Sequence, residues 1–181
     1  NVVLPTGPGL GFDFDATALA TFKAVSPRLQ FRVTNRADQA AVDEIAASDL
    51  DGLIGQRLPS DRSRTPSLRW LQVMSAGVEN LVGDGREWPA GVVLTNARGA
   101  YATSIAQYTI GAILRVAERV DRRRHQQALG RWPDEATQGD FLGDQIRGRT
   151  LVIVGYGGIG REIARLAAAH GMRVLAVKAN P

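Results

Sequence analysis

Six residues near the end of the chain, Gly155-Tyr156-Gly157-Gly158-Ile159-Gly160, restrict its architecture more than any other feature. Their G-x-G-x-x-G spacing follows the apolar run Thr150-Leu151-Val152-Ile153-Val154, whose length and β-branched content predict a buried strand. After the turn, Ile159, Ile163, Leu166, Ala167 and His170 recur at helical spacing. They predict a helix from Ile159 to His170 with those five residues on one stripe. Gly171 stands where a C′ glycine ends a helix, and Arg173-Val174-Leu175-Ala176-Val177 makes a second strand. Strand, glycine turn, helix and strand in that order define a βαβ unit. An isolated glycine-rich turn would carry little weight without these flanking elements.

The chemistry of such a unit follows from its backbone. Gly155 permits the tight turn, Gly157 lets the main chain approach a pyrophosphate, and Gly160 lets the helix lie close on the strand. The N–H groups near Gly158 and Ile159 then face phosphates at the positive end of the helix. A nicotinamide dinucleotide is the expected ligand. In this fold the ribose 2′-hydroxyl of NAD is held by an acidic residue about 20 positions on, at the end of the second strand. This chain has Lys178 there, and an ammonium group attracts the 2′-phosphate that a carboxylate would repel, so NADP is expected ahead of NAD. The other reading makes Lys178 a surface residue and leaves the cofactor choice elsewhere. FAD fits less well, because its ribose is usually held by an acid at this position.

The preceding residues alternate in the same manner. Strands are expected at Val2-Leu4, Leu29-Val33, Gly52-Ile54, Trp70-Met74 and Val92-Asn96. Between them Asp15 caps a helix carrying Leu19 and Phe22, and Val42, Ile45 and Ala46 mark another. This gives a small α/β unit ending near residue 98. A longer helix, capped by Thr103 or Ser104, should bridge two domains and bury Ile105, Tyr108, Ala112, Ile113, Val116 and Val120. Residues 121–146, broken by Gly130-Arg131-Trp132-Pro133 and Gly139-Asp140, read as a loop-rich excursion.

Composition removes several function classes. With no cysteine there is no disulfide, thiolate metal site or cysteine nucleophile, and no metal site is predicted. Of 22 basic residues only two, Lys23 and Lys178, are lysine, and the net charge of +4 is spread along the chain. The one basic run, Arg122-Arg123-Arg124, reads as a solvated helix face, so no nucleic-acid partner is expected. No apolar run reaches the roughly 18 residues of a membrane span and no signal segment opens the chain, so a cytoplasmic protein without a membrane partner is expected. The chain starts at Asn1 and stops at Pro181 just after a strand, which suggests a portion of a longer protein.

Several motifs together resemble one family, the D-isomer-specific 2-hydroxyacid dehydrogenases, which include phosphoglycerate, D-lactate and formate dehydrogenases and glyoxylate/hydroxypyruvate reductases. The strongest stretch runs from Ile146-Arg147-Gly148-Arg149-Thr150 through the glycine turn to Ala167-Ala168-Ala169-His170-Gly171-Met172-Arg173-Val174. Val73-Met74-Ser75-Ala76-Gly77-Val78-Glu79-Asn80 is similar to the family's "saGvdn" loop. Thr95-Asn96 with Ser104-Ile105-Ala106-Gln107 resembles its helix entry, and Gln126 with Trp132 its "q … g-x-W". Gln107 departs from the family's usual Glu, a near-isosteric change that keeps hydrogen bonding and removes a charge.

The resemblance implies a flavodoxin-like substrate domain over residues 1–98, then the first βαβ unit of a Rossmann dinucleotide-binding domain over 99–181, with catalysis in the cleft between them. It implies that the amides of Ala76 and Gly77 hold a substrate carboxylate, as consecutive free N–H groups after a strand can; a plain turn glycine is the other reading of Gly77. Arg57, Tyr101 and Thr103 are further candidates, Arg57 and Tyr101 for substrate and Thr103 for the nicotinamide side. Helix capping and packing are the alternatives for Tyr101 and Thr103. The family's reaction is hydride transfer between nicotinamide and a small D-2-hydroxy or 2-oxo acid. Its proton-transferring His, that residue's carboxylate partner and an orienting Arg lie in relatives beyond the position of Pro181, so no catalytic residue is assigned in this chain. His125 and His170 read as surface and helix-end residues. A homodimer is the usual assembly of similar proteins. The competing expectations are a dinucleotide-sensing binding protein resembling the corepressors of this fold, and an inactive truncated product.

Overall fold

The computed structural model describes residues 2–5, 15–34, 39–46, 50–61, 63, 65–82, 88–134 and 138–179. They form two compact units, residues 1–98 and 99–181.

The first unit is a parallel sheet whose strands β1 (Val2–Pro5), β2 (Phe31–Thr34), β3 (Gly52–Ile54), β4 (Trp70–Gln72) and β5 (Val93–Thr95) lie in the order β2-β1-β3-β4-β5. This is the flavodoxin-like order. Period-two alternation sends neighbouring residues to opposite faces, and each face acquires its own core. Leu53 and Leu71 join Val42, Leu50, Leu58, Leu68, Val73 and Leu81 on one side. Ile54 and Val2, on the other, meet Leu19, Phe22, Phe31, Trp70 and Met74. β2, β4 and β5 are shorter than the sequence suggests, and Leu29 is held in a turn by its N–H bond to Ser26 O, so β2 begins at Phe31.

Helix α1 (Ala16–Val25) begins where Asp15 predicts, its Oδ1 accepting from the Ala18 N–H at 2.7 Å. Replacing that cap, Asp15→Ala, is expected to lower the unit's stability by about 1 kcal/mol in urea unfolding, with no change in slope. Helix α2 (Gln39–Ala46) supplies Val42 and Ile45 to the first core. The four-residue helix α3 (Glu79–Val82) follows β4 and buries Leu81.

The second unit contains α4 (Ala102–Ala117), α5 (Val120–Ala128), α6 (Gln138–Phe141), β6 (Thr150–Val154), α7 (Gly158–Ala169) and β7 (Arg173–Val177), with β6 and β7 parallel and α4 packed against α7. Two sequence expectations, the cap and the buried face of α4, fail here. Tyr101, not Thr103 or Ser104, holds the N-cap position of α4, and it offers no side-chain cap; a turn at Gly99, φ +92°, starts the helix. All of α4 lies in the second unit. Its buried residues are Ala106 and Ile110, while Tyr108 is 78% and Val116 77% exposed. Val120 is not on α4 at all, because Arg119 turns left-handed at φ +50° and opens α5.

Residues 121–146 are also less loop-rich than expected. α5 forms although nothing on it is buried, with the Arg115 Nε donating to both carboxylate oxygens of Asp121 at 2.8 Å. Those bonds hold the Asp121 carboxyl below the usual carboxylate range. On α7 the buried residues are Gly160, Ala164 and Ala167, whereas Ile159 is 39% exposed and His170 is exposed. Both helices present small residues inward, and small residues let packed elements approach closely. Gly171, at φ +74°, ends α7 as expected. In the two-stranded sheet Ile153 is buried, while the paired residues Val152 with Leu175, and Val154 with Val177, share an exposed apolar face. Among the described residues no helix is long and apolar enough to cross a membrane, and no group of three or more His, Asp and Glu is placed to hold a metal.

Candidate functional site

Each unit places candidate residues at the C-terminal edge of its own parallel sheet. In the second unit the three glycines of the motif do different physical work. Gly155, at φ +96°, makes a turn that an L side chain would strain, and its N–H donates to Val177 O at 2.8 Å. Gly160 is needed for packing: a Cβ there would collide with the carbonyl oxygen of Gly155 and lie 3.3 Å from Ile153 Cγ2. Gly157 is required for neither reason. Its backbone is extended at φ −84°, and a Cβ on Gly157 or on Gly158 would meet nothing within 4 Å.

Gly157 is also the N-cap of α7, and no side chain caps it. The first i→i−4 bond runs from Arg161 N–H to Gly157 O at 3.0 Å, so the N–H groups of Gly158, Ile159 and Gly160 have no partner within the helix. Bare backbone, open space and uncapped donors at the positive end of a helix fit the phosphates of a dinucleotide. Lys178 is exposed and directly follows Val177, whose carbonyl is tied to Gly155. It therefore stands at the same edge as the turn.

In the first unit the parallel order of β3, β4 and β5 brings residues 55–57, 73–78 and 95–98 to one edge. The loop after β4 is fixed through its carbonyls. Ser75 O accepts from Ala97 N–H at 3.0 Å, Ala76 O from Asn96 Nδ2 at 2.8 Å, and Gly77 O from Ser75 Oγ at 2.7 Å. Among the described residues, no acceptor pairs with the N–H groups of Ala76 and Gly77, and both residues are exposed. Two consecutive N–H groups left open after a strand can receive an anion. Glu79, itself exposed, places its carboxylate beside Gly77, where a Cβ would meet Oε2, the free end of a flexible side chain.

Beneath the loop runs a half-buried polar chain. Trp70 Nε1 donates to Thr95 Oγ1 at 2.7 Å, Thr95 donates to Gln72 Oε1 at 2.6 Å, and Gln72 Nε2 donates to Val73 O at 2.7 Å. A cavity of about 410 Å³ lined by Val78, Leu94, Thr95 and Asn96 opens beside it. Arg57 is exposed and follows Gln56, whose carboxamide lies 3.3 Å from Ser75 Oγ. Asn96 and Ser75 were absent from the sequence-derived site. Their signals were their place in the two family-like motifs and their position at the ends of two strands.

Tyr101 and Thr103 stand at the entry of α4 in the second unit. Tyr101 is half-buried, and its carbonyl accepts from Ile105 N–H at 3.0 Å and Ser104 Oγ at 3.2 Å; Thr103 is exposed. His170 lies at the end of α7 with Nδ1 2.8 Å from Leu166 O, and His125 is exposed on α5.

Comparison with known proteins gives consistent results. Residues 110–181 match the model of the D-isomer specific 2-hydroxyacid dehydrogenase, NAD binding domain. A hydroxypyruvate reductase of Thermotoga maritima is 34% identical over 86 residues, which are 48% of this chain and 27% of that protein. A glyoxylate reductase of Aeropyrum pernix is 32% identical over 133 residues, 71% of this chain and 39% of that one. The crystal structure of a D-isomer specific 2-hydroxyacid dehydrogenase family protein from Aeromonas salmonicida superposes with a TM-score of 0.74 at 25% identity, covering 98% of this chain and 53% of that one. The chain thus spans about half the length of this solved relative, and its aligned part a smaller share of the two reductases.

Proposed function

Because this chain belongs to the D-isomer-specific 2-hydroxyacid dehydrogenase family, we propose that it carries the dinucleotide-phosphate and substrate-carboxylate sites of an NADP-preferring oxidoreductase acting on a small 2-oxo or D-2-hydroxy acid. One observation carries the reading: Gly157 and Gly158 leave open space that the protein's own packing does not require, at the uncapped start of a helix. Gly155, Gly157, Gly158, Ile159 and Gly160 hold the pyrophosphate through backbone N–H groups, and Lys178 faces the 2′-phosphate. The nicotinamide, when bound, supplies or accepts a hydride.

The remaining candidates bind and orient. The amides of Ala76 and Gly77 hold the substrate carboxylate, Arg57 adds positive charge at the same sheet edge, and Tyr101 and Thr103 contact substrate and nicotinamide. No residue among these 181 is assigned the proton transfer. The glyoxylate and hydroxypyruvate reductase relatives make those two oxo acids the first substrates to try. The protein works as a cytoplasmic homodimer in this reading.

Titration with NADPH and NADH tests the cofactor site. The native chain should bind NADPH more tightly, and Lys178→Asp should shift the ratio of the two affinities toward NADH by about tenfold or more, since a carboxylate replaces an ammonium beside a phosphate. An unchanged ratio would sink the charge argument. Dinucleotide binding without oxidation of NADPH by glyoxylate or hydroxypyruvate would favour a sensing role over catalysis.

A further inference from the structure

We propose that Asn96 is a positioning residue: by holding the carbonyl of Ala76 it keeps the N–H groups of Ala76 and Gly77 turned outward to receive a carboxylate. The inference rests on the reading of those two amides as the substrate-carboxylate site, and it assigns a role to a residue in another loop.

The geometry begins with the peptide plane. The Ala76 carbonyl and the Gly77 N–H belong to one planar unit and point in opposite directions, so whatever holds the first aims the second. Asn96 Nδ2 holds the Ala76 carbonyl at 2.8 Å. The same logic links the Ser75 carbonyl, bonded to Ala97 N–H at 3.0 Å, to the Ala76 N–H. Both ties come from consecutive residues of the loop after β5. Asn96 is itself braced, because its Oδ1 accepts from Arg98 N–H at 3.3 Å. That bond occupies the oxygen and leaves the amide nitrogen as the end directed at Ala76. Only a side chain with a donor at one end and an acceptor at the other satisfies both contacts.

Charge adds a second requirement. The Glu79 carboxylate already lies against Gly77, so an incoming anion meets one negative group at this loop. A neutral amide at position 96 adds none. A carboxylate there would face the Ala76 carbonyl without a proton to donate, and would repel the ligand as well.

Glyoxylate is the probe, titrated while the backbone amide resonances of Ala76 and Gly77 are followed. In the native chain both should shift with a common dissociation constant. Asn96→Asp, which keeps the shape of the side chain, should weaken binding at neutral pH by about tenfold. As the pH falls toward about 4 the new carboxyl takes up a proton and can donate to Ala76 O, so the ratio of variant to native dissociation constants should fall. A merely structural defect would not produce that recovery. Asn96→Ala removes the donor without adding charge and should weaken binding severalfold at every pH, which keeps the test intact if the aspartate variant fails to fold.

The outcomes separate the two ideas. Native amides that do not respond to glyoxylate would overturn the carboxylate site and the role of Asn96 together. A native response with unchanged affinity in both variants would overturn the role of Asn96 and leave the site standing.

Discussion

Replacing Gly160 with alanine is expected to destabilise the second unit by about 2–3 kcal/mol, because the added methyl is driven into backbone, not into a mobile side chain. The new Cβ would collide with the Gly155 carbonyl oxygen and press on Ile153 Cγ2 at 3.3 Å. Relief requires α7 to move off β6, which also disturbs the Gly155–Val177 hydrogen bond that shapes the turn. Dinucleotide affinity should fall in parallel with stability. Chemical denaturation monitors the first effect, and a midpoint shift equivalent to less than about 0.5 kcal/mol would contradict the close packing described for this glycine.

Gly157→Ala should behave in the opposite way. Its Cβ would meet nothing of the protein within 4 Å, and φ −84° suits alanine, so stability should stay within about 0.5 kcal/mol of the native chain or rise slightly. Dinucleotide affinity should nevertheless drop at least about tenfold, since the methyl occupies the space a pyrophosphate needs. Unaltered binding by this variant would remove the observation on which the cofactor site rests. The two substitutions are chemically identical and three residues apart, yet one tests packing and the other tests ligand.

Features set by local chemistry were legible in the sequence. The βαβ order around Gly155 to Gly160, the cap at Asp15 and the helix end at Gly171 each depend on a few neighbouring residues and appear as expected. The family resemblance was legible for the same reason, because its motifs are short and contiguous. The faces of α4 and α7 were not. Hydrophobic periodicity selected Tyr108 and Val116 on one helix and Ile159 and His170 on the other, all exposed; of the buried small residues it found Ala167 but not Ala106, Ala164 or Gly160. Small residues score weakly as hydrophobes, but they are the ones that let a helix approach its neighbour.

The candidate carboxylate site divides along the same line. Ala76 and Gly77 could be named from a contiguous motif, whereas the tie from Asn96 joins residues 20 positions apart. That contact exists because β4 and β5 lie side by side with their ends in register, a fact of sheet order. By itself the sequence determined the βαβ order around the glycine turn, the turn itself and the charge of Lys178, since these rest on local backbone preference and on residue type. Only the tertiary structure decided which helix faces are buried, how little room Gly160 leaves beside Gly155 and Ile153, and which side chain holds the carbonyl of Ala76. Those depend on distances between segments remote in the chain, and such distances are set when the sheet and its helices close-pack.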